Sequence, residues 1–154
     1  MPETHEIARD PNRPRGCTCF RLRRTSRQVT RIYDTHLAPA GLTLTQYSLL
    51  SHLARGANPT PSVNQLADMM SMDRTTLTRT LKPLLAARLV TLATGADRRS
   101  KMVALTQSGH AAFETAKPLW RQAQDEMIER LGSVRVAELH KLLDESFAGL
   151  AEIA

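Results

Sequence analysis

A mostly α-helical chain with one small β-hairpin is the fold this sequence predicts, on three observations. Apolar residues make up 42% of the 154, enough for a core, yet aromatics are only 4%, so the core is built from Leu, Ala, Val and Met. Leu and Ala favour helix, which argues against an all-β chain. Thr43, Ser62, Asp73 and Thr106 each stand just before a run with helical apolar spacing, the mark of a capped helix start. Two short β-prone runs, 90–93 and 102–105, flank a compact basic tip containing Gly95, Asp97, Arg98, Arg99 and Lys101.

The elements follow in order. Residues 1–16 carry Pro2, Pro11, Pro14 and Gly16 among charges and read as a mobile N-terminal arm, leaving 17–154 as a single domain. A first helix runs from Thr18 to His36. Phe20, Leu22, Val29, Ile32 and Leu37 lie towards one face, and Arg21, Arg23, Arg24, Arg27 and Arg31 dominate the other. Pro39 and Gly41 stop it. Thr43-Leu44-Thr45-Gln46 has capping-box spacing and opens a second helix with Tyr47, Leu49, Leu50 and Leu53 on its apolar face. Asn58-Pro59-Thr60-Pro61 breaks it. Ser62-Val63-Asn64-Gln65 is a second capping box, opening a short helix through Met70, and Asp73 caps a further helix from Arg74 to Arg88. Val63, Leu66, Ala67, Met70, Met72, Leu77, Leu81 and Leu84 make one apolar seam across both short helices, which is the helix-turn-helix pattern. After the hairpin, Thr106 opens a long helix to about Leu131, with a bend expected at Pro118. Gly132-Ser133 ends it and starts a last helix carrying Val136, Leu139, Leu142, Phe147 and Leu150. The helix-turn-helix and hairpin occupy about 43–106. The terminal helices, about 18–38 and 107–150, have more apolar surface than so small a domain needs, and an obligate homodimer would bury the surplus.

Charge is directional. The chain carries net +6 overall: residues 1–34 hold eight Arg against four acids, residues 72–102 seven Lys/Arg against two, and residues 111–154 five basic against eight acidic. A basic body and an acidic last part imply a polyanionic partner, most simply double-stranded DNA. No apolar run approaches the roughly 20 residues that cross a bilayer, and no secretory signal is legible, so no membrane partner and a cytoplasmic location are expected. Cys17 and Cys19 are then free thiols. The five histidines are scattered singly, no zinc-helix or nucleophile–base spacing exists, and no glycine-rich phosphate loop is present. No enzyme, metal or cofactor is expected.

The exposed half of the Arg74–Arg88 helix carries Arg74, Thr75, Thr76, Thr78 and Arg79, where a merely solvated helix more often shows Glu and Lys. Forked Arg and short Thr side chains suit base edges in a major groove, and the N-terminus of this helix itself suits phosphate; Ser62 is a further candidate DNA contact. Arg98, Arg99 and Lys101 at the hairpin tip suit phosphate or the minor groove. Arg27, Tyr47 and His52 are candidates for binding a small aromatic or carboxylate effector beneath the first helix, the arginine supplying charge and the rings stacking. Cys19, with Arg15, Arg21 and Arg23 close by in sequence, is a candidate redox thiol, and Cys17 stands beside it. Three functions compete: a ligand-released repressor, a thiol-based repressor, and a non-sensing basic architectural protein.

The order of elements resembles the MarR family of winged-helix transcription regulators over roughly residues 18–150. The hairpin carries the most specific likeness: Asp97-Arg98-Arg99, then Leu105-Thr106 and Gly109, is similar to that family's Asp-x-Arg followed by Leu-Thr-x-x-Gly. Leu42-Thr43 leading to Gln46, Leu66-Ala67 and Leu89-Val90 match looser positions. The resemblance implies a homodimer held by the first and last two helices and a palindromic DNA site. The Arg74–Arg88 helix would lie in the major groove and the wing arginine in the minor groove, with Asp97 orienting Arg99. Cys19-Phe20, Leu22, Thr25-Ser26, Thr30 and Tyr33 are further similar to the first helix of the organic-hydroperoxide-sensing branch, as are Thr76-Leu77-Thr78 and Leu81-Lys82. That likeness implies oxidation of Cys19 with Tyr33 helping to hold the thiol. Arg23 and Leu44 depart from the branch where further tyrosines are expected, and Cys17 is an addition.

Overall fold

The computed structural model describes residues 15–56, 60–95 and 100–151, so Asp97, Arg98, Arg99 and nearly all of the expected N-terminal arm lie outside it. Helix α1 spans Thr18–Leu37 and is followed by a single 3-10 turn, Ala38–Ala40. Gly41 takes a left-handed φ of 68°, which turns the chain into α2, Leu44–Ala54. Helices α3, Val63–Met69, and α4, Arg74–Ala86, form the helix-turn-helix. Strands β1, Val90–Thr94, and β2, Lys101–Leu105, make the hairpin; α5, Gln107–Leu131, and α6, Ser133–Ala151, complete the chain. Among the described residues, no helix is long and apolar enough to cross a membrane.

Caps set the helix starts. The Thr43 side chain accepts the Gln46 amide while Gln46 Oε1 accepts the Thr43 amide, and Ser62 and Gln65 repeat that reciprocal pair. Asp34 of α1 also accepts the Leu44 amide at 2.7 Å, fixing where α2 leaves α1. At the other end, α4 stops at Ala86, two residues before the sequence-based boundary, because Arg88 is left-handed with φ 58°. The Arg88 and Leu89 amides then turn back to the Leu85 and Leu84 carbonyls, closing the last turn. Helix α5 continues unbroken through Pro118.

The hairpin is antiparallel, pairing Val90 with Leu105, Leu92 with Val103 and Thr94 with Lys101. On the other edge of β2, Ser62 bridges to Met102 and the Val103 amide donates to the Pro61 carbonyl at 2.9 Å. The start of α3 is thereby stitched to the hairpin. Leu49, Leu50, Leu66, Leu77, Leu84 and Val103 are fully buried between α2, the helix-turn-helix and the sheet; Tyr33, Leu37, Ala116, Ala123 and Met127 continue the same core between α1 and α5. Helix α6 buries only Val136. Val134, Leu142, Phe147 and Leu150 face outwards, with Phe147 64% exposed. Phe20 and Leu22, assigned by periodicity to a covered face of α1, are also exposed: among the described residues the first turns of α1 are left largely open, with Leu22 only lining the rim of a cavity shared with α6.

Candidate nucleic-acid interface

Helix α4 is amphipathic in the sense its spacing dictates. Leu77, Leu81 and Leu84 are buried, while Arg74, Thr75, Thr76, Thr78, Arg79 and Lys82 are exposed. Positions 75, 78, 79 and 82 are i, i+3, i+4 and i+7, one stripe opposite the leucines. The start of the helix is held by Asp73, whose carboxylate accepts the Thr76 amide at 2.9 Å and the Thr76 hydroxyl at 2.5 Å. Those two bonds keep the Asp73 carboxyl below the usual carboxylate range, the hydroxyl bond first. Thr78 donates its hydroxyl to the Arg74 carbonyl at 2.8 Å, and Thr80 donates to Thr76 at 3.1 Å.

A groove of about 590 Å³ runs between this stripe and the hairpin, lined by Arg74, Thr75, Thr78, Arg79, Lys82 and Leu92 among others. Lys82 and Leu92 were not among the sequence candidates. The spacing of Lys82 from Thr75 carried the signal for the first, but nothing in the sequence turned Leu92 towards α4. Ser62 is the α3 cap at the hairpin edge, and Lys101 lies on the hairpin with Nζ donating to the Thr94 hydroxyl at 3.3 Å. The remaining hairpin candidates, Arg98, Arg99 and Asp97, lie outside the described residues.

The base of the hairpin is clamped to α5 by two residues of the Leu-Thr-x-x-Gly run. Thr106 donates its amide to the Leu89 carbonyl at 3.1 Å and its hydroxyl to the Arg88 carbonyl at 2.7 Å, and its oxygen accepts the Gly109 amide at 3.0 Å. Gly109 is buried so tightly that a Cβ there would collide with the Leu89 carbonyl oxygen.

The expected effector trio does not assemble. Tyr47 and His52 share a cleft of about 520 Å³ between α2 and α5, not beneath α1. Tyr47 stacks on Phe113 and Trp120, with ring centroids 5.4 and 5.9 Å away, and burial raises its phenol pKa. His52 Nδ1 is 2.8 Å from the Ser48 carbonyl. Arg27 instead lines a separate cavity of about 760 Å³ between α1, α5 and α6, with Arg23, Tyr33, Met127 and Leu143. Periodicity gives the face of a helix but not the neighbour it meets. The cations at the Tyr47 cleft are Arg55, Lys117 and Arg121, and Phe113, Lys117, Trp120 and Arg121 are i, i+4, i+7 and i+8 on α5.

Both cysteines are free and exposed. Cys17 is the N-cap of α1, its sulfur accepting the Phe20 amide at 3.4 Å. Tyr33 is buried on the same helix, fourteen residues from Cys19, about 21 Å along the axis, so the two cannot touch within one chain. Among the described residues, no group of three or more His, Cys, Asp or Glu side chains is placed to hold a metal ion.

Known proteins share this arrangement. Residues 40–100 match the MarR family. The M. tuberculosis transcriptional regulator MosR, solved in complex with DNA, is 36% identical with a TM-score of 0.74, and the match covers 88% of this chain and 98% of that one. Wild-type MarR from E. coli in its apo form, at 24% identity and a TM-score of 0.69, covers 86% and 98%. The S. aureus MepR–DNA complex, at 18% identity and a TM-score of 0.75, covers 88% and 99%, and these last two are likenesses of fold. The fold is thus shared with a relative more than a third identical and matched along nearly its whole length, and the chain belongs to the MarR family of winged-helix transcription regulators.

Proposed function

We propose that this regulator is a homodimer that reads a palindromic double-stranded DNA operator, lays α4 in the major groove, and represses transcription until a small effector releases it. The observation that carries the reading is the outward stripe of Arg74, Thr75, Thr78 and Arg79 on a helix whose opposite face is fully buried. The MosR–DNA complex supports it. Two such helices in a dimer meet successive major grooves when they stand about 34 Å apart. Arg98, Arg99 and Lys101 on the wing would add phosphate or minor-groove contacts, with Asp97 orienting Arg99, and Ser62 and Thr76 would approach the backbone. The apolar surface left open on α1 and α6 supports a second copy as the partner that covers it. Enrichment of duplexes from a random pool, followed by titration across salt, tests this. A palindrome is expected, with log affinity falling steeply as log salt rises. Arg99→Ala is expected to cost about 1–3 kcal/mol if it reads a groove, or to lower the salt slope by about one if it touches only phosphate. Binding without sequence preference would favour an architectural role.

The effector reading rests on the α2–α5 cleft, where the aromatic rings of Tyr47, Phe113 and Trp120 share the lining with Arg55, Lys117 and Arg121, a combination that suits an aromatic carboxylate. Trp120 is the one tryptophan of the chain, so its emission reports occupancy of the cleft directly. Benzoate that changes this emission and weakens operator binding supports the reading; emission that does not move sinks it for this class. A thiol switch is the second reading, favoured by the exposed Cys17 sulfur that caps α1 two residues before Cys19. It requires that organic peroxide release DNA, that a thiol reductant reverse the release, and that Cys19→Ser abolish it.

A further inference from the structure

We propose that α4 selects operator sequence through thymine 5-methyl groups, with Thr78 as the residue that reads the methyl and Leu92 of the wing as the apolar wall beside it. The inference rests on the DNA-reading function proposed above and adds what the helix recognises.

A threonine hydroxyl has one proton. On α4 three of the four threonines use that proton inside the protein. Thr76 gives it to Asp73, Thr78 to the Arg74 carbonyl, and Thr80 to the Thr76 carbonyl. Such bonds to the carbonyl four residues back select one of the side chain's staggered rotamers. Thr78, the exposed member of this set that lines the groove, therefore presents its methyl and acceptor lone pairs but no donor. Leu81, Leu85, Val63 and the 40%-exposed Leu92 line the same groove, so the strip beside Thr78 is apolar. Arg74, Arg79 and Lys82 border that strip with cations. In a major groove, the thymine methyl is the one apolar group on any base edge, and a threonine methyl is a fitting partner for it. The guanidinium groups bordering the strip would take guanine O6 and N7 or phosphate.

The test begins with the operator enriched by the full-length protein. Each thymine is replaced in turn by deoxyuridine, which removes only the methyl group. At least one position per half-site is expected to lose about fourfold in affinity, the worth of one buried methyl. In Thr78→Ser, which keeps the hydroxyl and deletes the threonine methyl, the same replacement is expected to have no further effect. Unchanged thermal unfolding of that variant is expected, because Thr78 is exposed. If no thymine responds to demethylation, or the fourfold loss persists in Thr78→Ser, the proposal is overturned while DNA reading stands. If no sequence is enriched at all, the DNA-reading function fails first and takes this proposal with it.

Discussion

Leu77 and Arg79 sit two positions apart on α4 and answer to different chemistry. Leu77 is fully buried among Leu66, Leu81 and Leu84, so Leu77→Ala is expected to lower unfolding free energy by about 2–5 kcal/mol. Arg79 is exposed, and Arg79→Ala is expected to weaken operator binding by about 1–3 kcal/mol with an unchanged melting temperature. Denaturant titration and anisotropy binding on the same two variants check the assignment; the reverse pattern means the helix is rotated. This division was legible in the sequence because burial on an isolated amphipathic helix follows its period. The threonine hydroxyls were not. Their spacing was plain, but whether each proton faces DNA or turns back to a carbonyl depends on rotamer, which spacing does not encode. Arg27 went astray for a related reason: its outward face was read correctly, yet the cavity it lines is set by how α5 and α6 pack on α1.

Among the elements, the start of α4 carries a pH dependence. Asp73 holds its carboxyl below the ordinary range because Thr76 donates twice to it, so the folded form binds the proton less readily than the unfolded chain. Its stabilisation is complete above about pH 4, near the unfolded value, and is lost as the pH falls through the lower folded value. Asp73→Asn keeps an acceptor at the cap but cannot titrate. Thermal unfolding followed from neutral to strongly acidic pH is expected to fall less steeply in that variant than in the wild type below about pH 4. Equal slopes would mean that ionisation of the Asp73 carboxyl does not contribute to stability. Glu126, lowered first by its 2.6 Å bond with His36 and then by Arg130, adds a fall of the same sign in both proteins. Helix starts at Thr43, Ser62, Asp73 and Thr106 were all legible, since caps are local. The end of α4 was not, because a left-handed Arg88 is required by the clamp to Thr106, eighteen residues away.

For the molecule as a whole, the unmatched feature is the apolar surface of α6 and of the first turns of α1. Phe20, Leu22, Val134, Leu142, Phe147 and Leu150 all remain exposed in one chain. Deleting residues 133–154 is expected to abolish dimerisation and operator binding together, and sedimentation of the full chain is expected to give a single dimeric species at micromolar concentration. A folded full-length monomer there would contradict it. The surplus was visible in the sequence as apolar positions beyond the needs of one small core. A second copy was expected from it, but which apolar positions stay open in one chain was not legible, because an exposed leucine and a covered one have the same periodicity.

The Thr106–Gly109 clamp bears on how such a reader can change over generations. It ties the base of the wing and the end of α4 to the start of α5 through backbone carbonyls, so neither end of the hairpin can drift independently. Every one of these bonds lies among Arg88, Leu89, Thr106 and Gly109, outside the stretch from Thr94 to Lys101. A change of sequence between Thr94 and Lys101 therefore leaves these bonds, and the hold they have on the end of α4, in place. If the wing touches DNA as proposed, substitutions there can alter what it meets while the framework that carries it is inherited intact.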